Sequence, residues 1–173
     1  MKVFTYKKAL LASACALLFA SCLKREEFPP QPVIEYKDFI KYGNDSAEFI
    51  FKFTDGDGDI GLTESDTFGN FAPNAPYYYN FSMTYFYKDG SGNFQPYDAI
   101  DSTPAVMDTL KNGYRIPYIT PEGQNKVLDG EIRVKLLAPY IPIFDKNFKF
   151  DAFIYDRSLN KSNVISTPEL TPP

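Results

Sequence analysis

The 173-residue chain contains no histidine and no tryptophan, and only two cysteines. Without histidine there is no Ser-His-Asp triad, no Cys-His pair, no HExxH zinc site and no Cys/His zinc finger. Basic residues are outnumbered, with 18 Lys and Arg against 22 Asp and Glu. That excess of acid argues against a nucleic-acid partner. Missing tryptophan weakens a sugar-stacking surface, although 13 Tyr and 16 Phe are present. No apolar run is long enough to span a bilayer as a helix, which takes about 20 residues. The chain length suits one domain.

Residues 9–20, ALLASACALLFA, follow Lys2, Lys7 and Lys8. A basic start and an apolar run of this length read as a secretory signal. Leu18-Phe19-Ala20-Ser21-Cys22 resembles a bacterial lipobox, with Phe19 in place of the usual Leu. The resemblance implies cleavage after residue 21, lipid on Cys22 and attachment to a membrane. A plain cleaved signal with an incidental cysteine is the other reading. Cys15 leaves with the signal, so the mature chain holds one cysteine and no internal disulfide. Its formal charge moves from −4 to −7, because residues 1–21 carry three lysines and no acid.

Residues 22–32 form a tether stiffened by Pro29, Pro30 and Pro32. Leu23 is not the Asp that resembles an inner-membrane retention signal. Lys24-Arg25-Glu26-Glu27 resembles the charged export tag of surface lipoproteins of the Bacteroidota. The expectation is an outer-membrane lipoprotein displayed on the surface, with a periplasm-facing anchor as the alternative.

Residues 33–173 form the expected domain, and they alternate with the period of a strand. Ala47, Phe49, Phe51 and Phe53 share one face of 46–54. Tyr77, Tyr79, Phe81, Met83, Tyr85 and Tyr87 share one face of 77–88. Ile132, Val134 and Leu136 do so in 131–137, and Phe148, Phe150, Ala152 and Ile154 in 147–155. Segments 33–41 and 163–167 read as flanking strands and 113–119 as a weaker one. Residues 121–129 have room for one helical turn. Turn signals fall at 88–92, 111–113 and 128–130. The fold expected is all-β, an immunoglobulin-like or fibronectin-III-like sandwich.

The most informative stretch is Asp55-Gly56-Asp57-Gly58-Asp59, directly after a predicted strand. Bunched carboxylates repel one another unless a cation sits among them. Oxygen ligands of this kind suit Ca²⁺. Against an EF-hand loop, Asp55, Asp57 and Asp59 match positions 1, 3 and 5. Ile60 stands where the turn needs glycine, and Asp66 is a short, weaker candidate at position 12. The loop is therefore not an EF-hand. It reads either as a Ca²⁺ site or as an acidic solvated turn.

Asp156, Asn160, Ser162 and Asn163 supply further oxygens in 155–163. With 46–54 as strand B and 147–155 as strand F, the B–C and F–G loops share one end of the sandwich. Asp156 and Asn160 then join the cage. Alternatively, Asp156 simply starts a turn.

Cys22, FIFKFTDGDGDIGL, RIPYITPEGQNKVLDGEI and YDRSLNKSNVISTPEL together resemble uncharacterised lipoproteins of the Bacteroidota with Ig-like sandwich bodies. The D-x-x-x-N of Asp156 and Asn160 also resembles the last hairpin of bacterial Ig-like adhesin domains. Neither resemblance brings an activity. Carboxylates bunched in one loop do not suggest the spaced pair of a glycosidase. The reading is non-catalytic: a lipid-anchored interaction or structural module of the cell envelope, its loop end ordered by Ca²⁺, with a protein complex as partner. A glycan-binding lipoprotein of a nutrient-uptake system is the alternative. An aromatic row exposed on one sheet face, including Tyr78 and Phe86, would favour it, and buried aromatics would favour the structural module.

Overall fold

The computed structural model describes residues 28–97, 112–121, 126–139 and 146–172. The expected signal segment and Cys22 lie outside them. Among the described residues eight strands run in order: β1 (Val33–Tyr42), β2 (Ser46–Asp55), β3 (Phe81–Lys88), β4 (Phe94–Pro96), β5 (Asn112–Tyr114), β6 (Leu128–Leu137), β7 (Phe148–Ile154) and β8 (Ile165–Ser166). They form two antiparallel sheets. One is β1-β2-β6, the other β4-β3-β7-β8, with β5 also paired to β3. The fold is all-β, and the sheets face each other as a sandwich. In immunoglobulin lettering β1, β2 and β6 take the places of A, B and E. Strands β4, β3, β7 and β8 take those of C′, C, F and G.

Alternation builds the core. Phe49, Phe51, Phe81, Phe148, Phe150, Ala152 and Ile154 are buried to within about 1% of full exclusion. Phe51 stacks on Phe81 of the opposite sheet, with centroids 5.4 Å apart and planes 3° apart. Phe39 stacks on Phe150 at 5.7 Å in the same manner. In β1 strict alternation from Ile34 and Tyr36 would turn Asp38 inward. A bulge between Tyr36 and Asp38 shifts the register and delivers Phe39 to the core instead.

Three sequence expectations need correction. Residues 77–80 are not in a strand; β3 begins at Phe81. Asn80, which the alternation places opposite the aromatic face, is 1% exposed. Its Oδ1 accepts the Ile116 N–H at 2.7 Å, and its carbonyl accepts the Tyr155 N–H at 2.8 Å. A side chain that substitutes for a ladder bond ends the regular pairing there. Residues 128–130 are not a turn but the start of β6, where Leu128 pairs with Asp55. Residues 112–113 likewise open β5 rather than a turn. Residues 122–125 of the possible helical turn at 121–129 lie outside the described residues, and its last two residues are strand.

Candidate metal centre

Asp55 is the last residue of β2, and its pairing with Leu128 of β6 holds its backbone in the sheet. The chain then leaves the sheet through Gly56-Asp57-Gly58-Asp59. Gly58 has φ +71°, and a Cβ there would stand 1.9 Å from the Lys126 carbonyl oxygen. Only glycine fits, and its turn brings Asp59 back alongside Asp55. Ile60, fully buried, then plugs the chain into the core. That anchor replaces the glycine turn of an EF-hand.

The loop between β7 and β8 closes on this turn from the other sheet. The Arg157 N–H donates to the Asp59 carbonyl at 3.2 Å. Ser158 donates to Asp59 Oδ2 from its backbone N–H at 3.0 Å and from its hydroxyl at 2.7 Å. The two loops therefore meet, as the strand assignment implies. One carboxylate oxygen from each of Asp55, Asp57, Asp59 and Asp156 lies within 4.8 Å of the others.

Some of these carboxylate oxygens accept hydrogen bonds and others have no partner. Asp55 Oδ2 accepts the Asp59 N–H at 2.8 Å. Asp156 Oδ1 accepts the Asn160 N–H at 2.7 Å, and its Oδ2 accepts the Asn160 side-chain amide at 2.8 Å. Asp55 Oδ1, Asp57 Oδ1 and Asp59 Oδ1 are buried with no hydrogen-bond partner. Buried polar atoms without partners are rare, because each forfeits its hydration. None of the ion pairs among the described residues involves these four aspartates. The group could hold a metal ion.

Electrostatics agree. Burial, then the charges of Asp57, Asp59 and Asp156, push the Asp55 carboxyl up to about 6, although the Asp59 N–H opposes the shift. Burial followed by the Asp59 charge raises Asp57. Burial also raises Asp156, against the two Asn160 hydrogen bonds. A cation would remove the repulsion that drives these shifts.

A pH prediction follows for the metal-free protein. A carboxyl whose folded pKa is raised holds more protons folded than unfolded between about pH 4 and 6. Its stabilising contribution is therefore full at low pH and is lost as pH rises through about 6. Asp66, Asp89, Glu131 and Glu169, all lowered from ordinary values of 3.8 or 4.5, act below the interval from pH 7.5 to 5.5. In chelator, melting temperature should rise as pH falls from 7.5 to 5.5; with Ca²⁺ present it should fall, since protons then compete with the ion. A chelated protein that loses stability over that interval contradicts the assignment.

The remaining expected ligands have other roles. Asp66 lies outside the four-carboxylate group, which is a correction. It forms an ion pair with Arg157 and accepts the Thr63 N–H at 2.7 Å and the Thr63 hydroxyl at 2.8 Å. Burial raises its carboxyl, but these bonds outweigh that and hold it below the usual range. Asn160 orients Asp156 through its amide. Ser162 accepts the Ile154 N–H at 3.0 Å, and Asn163 exchanges two bonds with the Ile34 backbone.

Sequence reasoning missed Ser158, which holds Asp59, and Arg115. The Arg115 guanidinium donates to the carbonyls of Tyr78, Thr63 and Asp66 at 2.7, 3.1 and 3.0 Å, stapling the long loop that follows Asp55. Nothing in a lone Arg between short strands marks that role. Comparison of the chain with known protein families, characterised proteins and solved structures finds no match.

Proposed function

We propose that this chain is a non-catalytic, lipid-anchored module of the cell envelope whose interaction end is built by Ca²⁺. The observation that carries the reading is the set of orphaned oxygens: three buried Oδ1 atoms, from Asp55, Asp57 and Asp59, in one group with Asp156. All four donors are hard carboxylate oxygens, with no sulfur or imidazole, which suits Ca²⁺ rather than Zn²⁺. Ca²⁺ takes six to eight oxygens, so carbonyls or water would complete the shell. Residues from both sheets contribute, so the ion would tie the B–C loop to the F–G loop.

The covering of the outer aromatics supports this reading over a glycan binder. Phe86, Phe94 and Phe153 are half-buried. Lys149 Nζ lies 4.7 Å from the Phe86 centroid and 5.7 Å from that of Phe94, and Lys161 Nζ lies 3.8 Å from that of Phe153. Amine heads over the rings occupy the faces a sugar would stack on. Tyr78, half-buried, packs against the Arg115 guanidinium at 4.8 Å.

Two measurements test the proposal. Isothermal titration of Ca²⁺ into the chelator-stripped full-length protein should give a dissociation constant of about 10⁻⁴ to 10⁻³ M, as for extracellular modules. Absence of binding at 10⁻² M (about ten times the weakest of these) removes the metal reading. Cys22→Ala should move nearly all of the protein from the membrane to the soluble fraction. A variant that still pellets with membranes argues against the lipid anchor.

A further inference from the structure

The tether enters the domain across the metal centre. The Pro29 carbonyl accepts the N–H of Gly56, the residue between Asp55 and Asp57, at 3.0 Å. Contact there is so close that a Cβ on Gly56 would stand 2.2 Å from the Phe28 carbonyl oxygen and 2.5 Å from that of Pro29. On the other side, the Gln31 side-chain amide donates to the Lys161 carbonyl, in the loop that carries Asp156. Pro32 is fully buried. Ile34 and Asn163 then exchange two hydrogen bonds of 2.8 Å. Residues 28–34 thus contact both loops that supply the carboxylates.

We propose that ion binding at the four-aspartate centre and seating of the tether segment 28–34 are one coupled equilibrium. The cation is what keeps the two walls of the tether's seat at the right spacing. This rests on reading the cluster as a Ca²⁺ site. Its physical basis is the fully buried Asp55, whose Oδ1 has no partner. Without a cation, repulsion among four carboxylates pushes the Gly56 turn and the Lys161 loop apart, and Pro29 and Gln31 lose their partners. With it, both contacts are held. Coupling is reciprocal, so a seated tether must also raise Ca²⁺ affinity. Only six residue steps separate Cys22 from Phe28. With lipid on Cys22, the metal end then lies within about 20 Å of the bilayer surface at full extension. Divalent cation concentration would set whether the domain is held rigidly on its anchor or swings on a longer leash.

The test uses the full-length protein in detergent, with Ca²⁺ or with chelator. Hydrogen exchange of the Gly56 N–H, which donates to the Pro29 carbonyl, and of the Gln31 side-chain and Ile34 backbone N–H groups should slow about tenfold or more in Ca²⁺. Gly56→Ala keeps all four carboxylates and has no positive φ to offend, yet it blocks the seat. Its Ca²⁺ affinity should drop about five- to tenfold, and tether exchange should become independent of Ca²⁺. Gln31→Ala removes only one surface hydrogen bond and cannot unfold the domain; a smaller loss of affinity, about two- to fivefold, is expected from that one bond. It carries the test if Gly56→Ala does not fold. Ca²⁺ binding by calorimetry with unchanged exchange at the Gly56, Gln31 and Ile34 N–H groups, or with wild-type affinity in the folded variants, overturns the coupling and leaves the metal site standing. No Ca²⁺ binding at all overturns both.

Discussion

Saturating Ca²⁺ should raise the melting temperature by about 9 °C over chelator at pH 7.5. A ligand that binds only the folded state at 100 times its dissociation constant stabilises by about 2.7 kcal/mol. A domain of about 140 residues has an unfolding entropy near 0.3 kcal/mol/K, which converts that figure to the stated shift. The companion variant is Asp55→Asn. Asn keeps the acceptor that receives the Asp59 N–H but removes a charge that burial and three neighbouring aspartates oppose. The variant in chelator should therefore be at least as stable as wild type in chelator, while its Ca²⁺ shift collapses to a degree or two. Few structural side chains give such a pair of signs. An Asp55→Asn protein that retains the full shift would sink the metal assignment. One that is much less stable in chelator would show Asp55 to be a structural hydrogen-bond acceptor instead.

Phe81→Ala should cost about 3–5 kcal/mol, the usual range for a fully buried aromatic. Phe81 is 0% exposed at the start of β3. Its ring stacks on Phe51 at 5.4 Å and lies 5.9 Å from Phe49, both on the opposite sheet, and 6.0 Å from Tyr114. The residue thus joins the two layers. Removing it leaves a void between rings that the sheet hydrogen bonds prevent from collapsing. For a domain whose total stability is about 5–15 kcal/mol, that is a large fraction. Chemical denaturation should show the loss as a lower midpoint. A change under about 1 kcal/mol would mean the layers do not pack through this stack. Adding Ca²⁺ should still raise the midpoint of the variant, because ligand linkage and core packing act independently at separated positions.

Much of this architecture is legible in the residues. Phe53, Phe81, Phe148 and Phe150 alternate with polar neighbours and all are buried, as are Phe49 and Phe51, although Ile50 between them is buried too. A period of two leaves few other ways to bury them. The limits of legibility lie where a single long-range contact overrides the local pattern. Tyr77 and Tyr79 keep the alternation of β3 but are outside it. Tyr79 is 46% exposed, and Tyr77 packs edge-on against Tyr155 with centroids 4.9 Å apart. The cause is Asn80, whose partner Ile116 is 36 residues away. Residues 128–130 carry the composition of a turn, but ladder pairing with residues 53–55 holds them extended.

The candidate site divides in the same way. Charge density at Asp55, Asp57 and Asp59 is a property of the sequence, as is the glycine spacing that lets three carboxylates share one turn. So is the oxygen-only donor set. These follow from residue chemistry, which needs no partner to be read. Only the tertiary structure decided that Asp156 joins the group while Asp66 leaves it for Arg157. Both lie in loops, and whether an acid faces a cation or an arginine depends on which distant segment arrives beside it. That arrival is set by the packing of two sheets, a sum over many contacts that no local pattern records. The seating of Pro29 on Gly56 has the same origin, since its two residues meet only because β1 returns beside β2.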